Sequence, residues 1–346
     1  VALLFCDGFD HYDTGDILKK WTSASNWTPS ASAIAPGVFR SWARPPGGQG
    51  LQLSATNQAL IRVVPGSATP DTFIMGFYYR PTLLGGGGPI CFVRDGATEQ
   101  LSIRLNASGQ LIVSRNGTTL ATSTNTLAIN TWYHIEWKAT INNATGAYEV
   151  RVNGSSTGWI PAATGANTRA TANNQITDFA IGGTSGASTG YYDDFYILDT
   201  AGSTANDFAG PQKVHTLYAA GPGNYAQWIG NYAANYANVN ETIQDSDETF
   251  NQSSTAAQKD SFVFDDVPTG TVVAVQHVLV ARQDAGAART VRPIQRTSGT
   301  DYAGKSFPMA GSYAFYLDPR SVDPATSTAW TASGVNGAEF GYELVS

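Results

Sequence analysis

The sequence predicts an all-β protein, a larger N-terminal jelly-roll sandwich followed by a smaller β-sandwich domain. Three observations carry that expectation. Short runs of apolar and β-branched residues alternate with polar ones from end to end. Asp-Gly and Asn-Gly steps stand beside such runs at Asp95-Gly96, Asn116-Gly117 and Asn153-Gly154, and these are the residues a type I′ hairpin turn needs for positive φ. Charged residues make up only 14% of the 346-residue chain, against roughly 25% in ordinary soluble domains. Thr, Ser, Asn and Gly replace them, which suits strands and tight turns better than helices.

The elements follow in order. Val1 to Cys6 reads as a first strand, and Tyr12 to Thr22 is the one early stretch with helical character. Strands are expected at Leu51–Leu53, Leu60–Val64, Thr72–Arg80, Ile90–Arg94, Leu101–Leu105 and Leu111–Ser114. In Trp132–Thr140 the residues Tyr133, Ile135, Trp137 and Ala139 form the more apolar face, so that face is expected to point inward. Tyr148–Val152, Asp178–Ile181 and Asp193–Leu198 complete the first domain, residues 1–200. Residues 201–212 are small and turn-forming and read as a linker.

Residues 213–346 read as the second sandwich. Its strands are expected at Ser261–Phe264, Thr271–Arg282, Arg289–Gln295, Ser312–Leu317 and Glu339–Val345, after a polar, tyrosine-rich loop over Gly221–Ser254. Asn-Tyr-Ala recurs in that loop at Asn224, Asn231 and Asn235. The spacing would align the tyrosines on a helix, but the surrounding Gly and Asn favour an ordered loop.

Composition narrows the function. A formal net charge of −7 opposes contact with phosphate backbones, so no nucleic-acid partner is expected. No run approaches the roughly 18 apolar residues of a membrane span. Val1 to Cys6 is too short for a signal-peptide core and lacks a basic leader, so synthesis in the cytoplasm is expected. Cys6 and Cys91 have no metal-site spacing and are expected as reduced core residues.

No enzyme is expected. The four histidines, His11, His134, His215 and His277, show no zinc-ligand spacing. There is no GxSxG elbow, and the run Gly85–Gly88 leads to Pro89 rather than to a phosphate-binding Lys. Glycoside hydrolysis needs paired carboxyls, whereas Glu136 and Glu149 each stand alone in the sequence. Acidic residues cluster at Asp7, Asp10 and Asp13 and again at Asp193, Asp194 and Asp199. Terminal strands often neighbour each other in jelly rolls, so Asp10, Asp193 and Asp194 are candidate ligands for a structural calcium ion. The alternative is that these carboxylates cap turns. Candidate ligand or partner contacts are Trp27, Trp42, Trp159, Tyr225, Trp228, Tyr232 and Tyr236, because Tyr and Trp are favoured at interfaces.

The order of several short motifs resembles the LamG or concanavalin A-like sandwich. They are Gly8-Phe9-Asp10, Phe73–Arg80, Trp132-Tyr133-His134, Glu149–Gly154, Ile181-Gly182-Gly183 and Asp193–Asp199. The whole chain further resembles LamG-like structural proteins of tailed bacteriophages, through Gln258-Lys259-Asp260, Thr290–Pro293, Asp323–Thr326 with Trp330, and Glu339-Phe340-Gly341. That resemblance implies a virion component such as a tail fibre, baseplate appendage or capsid decoration. It would be exposed on the particle, assembled with other virion proteins and homo-oligomeric, with a host-surface glycan as a further partner. A carbohydrate-binding, lectin-like module is the alternative.

Overall fold

The computed structural model describes residues 2–25, 48–53, 58–65, 69–183, 189–284 and 286–346. The chain divides into two compact units, Val1–Gly202 with Asn206–Val214, and Ser203–Ala205 with His215–Ser346. The stretch expected as a linker is therefore mostly part of the first unit.

The first unit opens with β1 (Leu3–Asp7), β2 (Ser23–Ser25), β3 (Leu51–Leu53), β4 (Ala59–Val63), β5 (Thr72–Pro81), β6 (Gly88–Asp95) and β7 (Thr98–Leu105). It continues with β8 (Gln110–Arg115), β9 (Thr118–Thr126), β10 (Tyr133–Thr140), β11 (Gly146–Val152), β12 (Ser155–Ala166), β13 (Asp178–Gly182) and β14 (Gly190–Asp199). One antiparallel sheet runs β1-β14-β5-β10-β11-β12, with β3 also on β14, and the other runs β2-β4-β13-β6-β7-β8-β9. The β8–β9 turn has Asn116 and Gly117 at φ 42° and 87°, and the β11–β12 turn has Asn153 and Gly154 at 52° and 84°. These are the left-handed conformations that Asn and Gly accept at least cost.

The two sheets pack face to face. Phe5 of β1 and Phe195 of β14 lie 5.7 and 5.6 Å from Phe179 of β13, on the opposite sheet. Ile135 and Trp137 are fully buried, as the alternation requires. Their polar neighbours His134 and Glu136 are also at 0% exposure, so the opposite face of β10 is covered as well.

A buried carboxylate organises one end of this sandwich. Asp7 accepts four hydrogen bonds, from Phe9 N at 2.9 Å, Tyr12 Oη at 2.5 Å, Lys20 Nζ at 2.9 Å and Trp21 Nε1 at 2.9 Å. The Asp7 and Lys20 side chains are both at 0% exposure. Burial pulls the Asp7 carboxyl up, but Lys20, His11 and the hydrogen bonds from Tyr12 and Lys20 outweigh it and hold it below its ordinary value. The expected helix contracts to one turn, Ile17–Lys20, which ends where Lys20 and Trp21 reach this carboxylate. Trp21 then packs edge-on against Phe5 at 5.1 Å and against Phe179 at 6.2 Å. Cys6 is half-buried, Cys91 is buried and neither forms a disulfide.

The second unit is a smaller sandwich. Its main sheet runs Ala219–Ala226, Lys259–Phe264, Glu339–Leu344, Thr290–Thr297 and Thr300–Ala303, with Phe307–Pro308 also paired to Thr290–Thr297. Val275–Ala281 pairs with Ala314–Arg320 as a separate ribbon. The core holds two apolar clusters, one of Trp330, Val335, Ala338 and Phe340, the other of Leu279, Val291 and Tyr316. Buried polar groups add to this core. His277 faces Asp318 in register and its ring meets Phe340 at 5.7 Å, while Gln295 Nε2 donates to Asp323 at 2.9 Å. Burial, followed by the nearby Arg320 charge, lowers His277 to about 3, so its imidazole is neutral at physiological pH.

Removing one member of a buried ion pair leaves the other charge uncompensated, at about 3–5 kcal/mol. Asp7→Ala is therefore expected to destabilise the first unit by roughly that amount in chemical denaturation. The double variant Asp7→Ala/Lys20→Met should recover part of the loss. Equal stability of Asp7→Ala and the unchanged chain would contradict the organising role of this carboxylate.

Candidate functional site

The face of the first sheet that points away from the core carries a set of titratable and aromatic side chains. The strand registers arrange it in rows. Tyr191 lies opposite Arg80. Asp193 lies opposite Tyr78, and Tyr78 opposite His134. Tyr196, Gly76, Glu136 and Arg151 form the next row, and Leu198, Ile74, Lys138 and Glu149 the one after it.

Two local features shape this face. The register of β14 against β5 shifts between Asp193 and Tyr196, and Asp194 takes φ 50° at that bulge. Past the bulge, the Tyr196 ring crosses β5 directly over Gly76, where a Cβ would run into the ring atoms. Glycine at 76 is thus the residue that lets the phenol reach across to β10.

Glu136 is the centre of the face. Its Oε1 accepts Tyr196 Oη at 2.8 Å and Ala209 N at 2.6 Å, and its Oε2 accepts Gly210 N at 3.1 Å. Tyr196 Oη also lies 3.0 Å from the Gly210 carbonyl oxygen and 3.3 Å from His134 Nε2. The His134 ring sits 5.1 Å from Tyr78 and stacks on Tyr196 at 6.2 Å. Burial raises the Glu136 carboxyl, and the hydrogen bonds from Tyr196, Ala209 and Gly210 with the Arg151 charge only partly offset it. Burial, then the Glu136 charge, raises the Tyr196 phenol well above its usual value.

Residues 207–210 form a strap over this part of the face. Lys138 Nζ pairs with Asp207 at 2.8 Å, and the Arg151 guanidinium lies 3.7 Å from the centre of the Phe208 ring. The strap and Tyr196 explain why the polar side of β10 is buried. Tyr78, Arg80 and Tyr191 remain half-buried, with the Arg80 guanidinium 5.5 Å from the Tyr191 ring. A carboxyl of raised pKa in contact with a phenol, itself next to an imidazole, is an arrangement able to hold and relay a proton. Tyr78, Arg80 and Tyr191 each keep part of their surface exposed.

Of the residues singled out in the sequence as ligands or contacts, Asp193 lies on this face, opposite Tyr78. Asp10 Oδ1 accepts Gln49 N at 2.5 Å, Asp193 Oδ1 accepts Asp194 N at 2.8 Å, and Asp194 Oδ1 accepts Val214 N at 2.8 Å. Burial raises the Asp10 carboxyl to about 6; the Gln49 hydrogen bond and the Lys213 charge oppose this, while Asp194 and Asp7 add to it. Asp10 and Asp194 are thus electrostatic neighbours. Among the described residues, no group of three or more His, Cys, Asp or Glu is placed to hold a metal ion. These carboxylates engage backbone N–H groups, as turn caps do. Trp27 and Trp42 lie outside the described residues. Trp159 is half-buried on β12.

The remaining candidates belong to the second unit. Trp228 donates Nε1 to Gln258 O at 3.1 Å and meets Tyr342 edge-on at 4.7 Å. Tyr225 lies 5.3 Å from Lys259 Nζ and 5.0 Å from the Arg296 guanidinium, with its Oη 3.0 Å from Asp301. Tyr236 is half-buried in the single turn Asn235–Asn238, whereas Tyr232 is 82% exposed.

No protein-family model matches the chain, and no curated protein matches it. Solved structures do resemble it. The marine PL-14 alginate lyase from Aplysia kurodai is 13% identical, with a TM-score of 0.42 over 57% of this chain and 99% of that one. Domain 4 of AbnA, a GH43 extracellular arabinanase from Geobacillus stearothermophilus in complex with arabinotriose, is 13% identical, with a TM-score of 0.35 over 56% of this chain and 93% of that one. Trypanosoma rangeli sialidase is 16% identical, with a TM-score of 0.32 over 43% of this chain and only 25% of that one. Likenesses at this level concern the fold, an all-β sandwich.

The expectation that the chain is not an enzyme does not stand. Solved structures similar to it include a lyase and sialidases. Glu136, isolated in the sequence, is also not isolated in space, because Tyr196 and the strap residues converge on it. Glu136→Gln places an N–H donor among groups that already donate, at a cost of about 1–3 kcal/mol for the lost buried acceptor. Faster hydrogen exchange at the Ala209 and Gly210 amides is the expected result. Unchanged protection there would show that the strap does not depend on this carboxylate.

Proposed function

We propose that the chain recognises carbohydrate through the outer face of its first sandwich. The observation that supports this reading is the row structure of that face. Half-buried Tyr78 and Tyr191 stand beside Arg80, on rigid strands, next to the buried Asp193, His134 and Glu136. Sugars combine apolar C–H faces with many hydroxyls. Aromatic rings pack against the former, and a guanidinium or carboxylate hydrogen-bonds the latter. A site built on strands holds those groups in fixed geometry and lowers the ordering cost of binding.

The finer reading is a component of a tailed-phage virion that uses this face for adhesion to a host surface. It rests on the order of sequence motifs that resemble LamG-like phage structural proteins. Low charge and abundant turn residues suit such an assembly. Mass spectrometry of purified particles checks it: the chain should be present at stoichiometric level, and its absence would remove the virion reading while leaving glycan recognition intact.

Loss of an aromatic platform contact is worth about 0.5–1.5 kcal/mol beyond buried area. Tyr78→Ala and Tyr191→Ala are therefore each expected to weaken glycan binding by about two- to tenfold in calorimetric titration. Thermal unfolding should stay close to that of the unchanged chain. Full affinity in both variants would exclude this face as the binding surface.

A further inference from the structure

The turn between β8 and β9 and the segment that follows β12 enclose an open groove of about 270 Å³, lined by Arg115, Asn116, Thr118, Asn167, Arg169 and Ala170. In a chain of formal net charge −7, this groove is lined by two arginines. Arg115 Nη1 donates to the Asn167 carbonyl at 3.2 Å, and Arg169 Nη1 donates to Asn174 Oδ1 at 3.0 Å. Both acceptors are neutral amide oxygens. A guanidinium has five N–H donors, so most of the donor capacity of each remains for a ligand.

The walls are fixed by buried polar side chains. Thr168, at 0% exposure, donates to Thr140 O at 2.6 Å and accepts Asn142 N at 2.9 Å, which anchors the chain between Asn167 and Arg169. Gln100, also at 0% exposure, accepts Ala170 N at 2.6 Å and donates to Asn173 O at 3.0 Å. On the other side, Arg115 and Thr118 pair across the tight turn that Asn116 and Gly117 form. Each wall is therefore fixed by the fold, and the Arg115 side chain ties one wall to the other.

We infer that this groove binds a carboxylated sugar of an acidic glycan. Two arginines match a planar carboxylate, which accepts parallel N–H bonds from a guanidinium fork. The remaining lining is amide and hydroxyl, from Asn116, Asn167 and Thr118, and Ala170 is its one apolar side chain. That rim satisfies hydroxyl groups but offers no surface for an apolar peptide side chain or a stacked base. The site adds a subsite to the carbohydrate reading above, and it is separate from the tyrosine face in residues and in test.

Calorimetry on the full chain with a galacturonate trisaccharide tests the inference, together with hydrogen exchange to locate the contact. Binding is expected, with protection at residues 115–118 and 167–170 and affinity that falls as salt rises. The methyl-esterified trisaccharide, which keeps the hydroxyls but loses the charge, should bind at least about tenfold more weakly, and so should the variant R115Q/R169Q toward the free acid. Thermal unfolding of that variant should match the unchanged chain, since both side chains are at the surface. Absence of binding, equal affinity for the ester, or equal affinity in R115Q/R169Q would overturn the inference. Inorganic phosphate that displaces the trisaccharide at matching affinity would also overturn it, by reducing the groove to a general oxyanion site. The tyrosine variants leave this measurement unchanged, so failure here and failure of the tyrosine face are distinguishable.

Discussion

The first sandwich depends on one buried carboxylate. Asp7 is removed from water, and that desolvation is tolerable only because Phe9, Tyr12, Lys20 and Trp21 all donate to it. Those donors come from the stretch between β1 and the single turn Ile17–Lys20 and from Lys20 and Trp21 at its end. Meeting the carboxylate forces Phe9 into a left-handed conformation, at φ 60°, and sets the single turn Ile17–Lys20. It also delivers Trp21 to the seam where Phe5, Phe179 and Phe195 from both sheets meet. The apolar packing supplies most of the favourable free energy. The polar hub decides which way the opening segment must run for that packing to form.

The outer face of the first sheet follows from a second constraint, one of space. β14 must carry Tyr196 across β5, and only a residue without a side chain leaves room, so Gly76 stands there. Once across, the phenol meets Glu136 and closes one end of the face, with residues 207–210 over it. The half-buried Tyr78, Arg80 and Tyr191 lie on the same face, in the neighbouring rows. The rigidity of that face comes from strands paired on both sides rather than from loops.

Much of this was legible in the sequence, and what was not has physical reasons. Alternation located the inward face of β10, and the Asn-Gly steps located two hairpin turns with the backbone angles expected of them. The edge strands β9 (TTLATSTNT) and β12 (SSTGWIPAATGA) escaped notice because they bury little on either side and carry no apolar alternation. The strand Ala219–Ala226 reads as loop in the sequence for the same reason, AAGPGNYA being rich in residues that disfavour strands. Glu136 appeared solitary because its partners are distant in the chain: Tyr196, Ala209 and Gly210. The alternation of Thr72–Arg80 did contain a signal, since it sets Tyr78 and Arg80 on the face opposite Phe77 and Tyr79. The acidic clusters offer two readings in sequence, ligand set or turn cap, because spacing alone does not show that Asp10, Asp193 and Asp194 accept backbone N–H groups.

The most direct test of the account is a structure of the full chain bound to an oligosaccharide selected from a glycan array. The account predicts a sugar ring packed on Tyr78 or Tyr191 with Arg80 on its hydroxyls. A sugar bound only at other surfaces, or no retained glycan from a broad array, would contradict it.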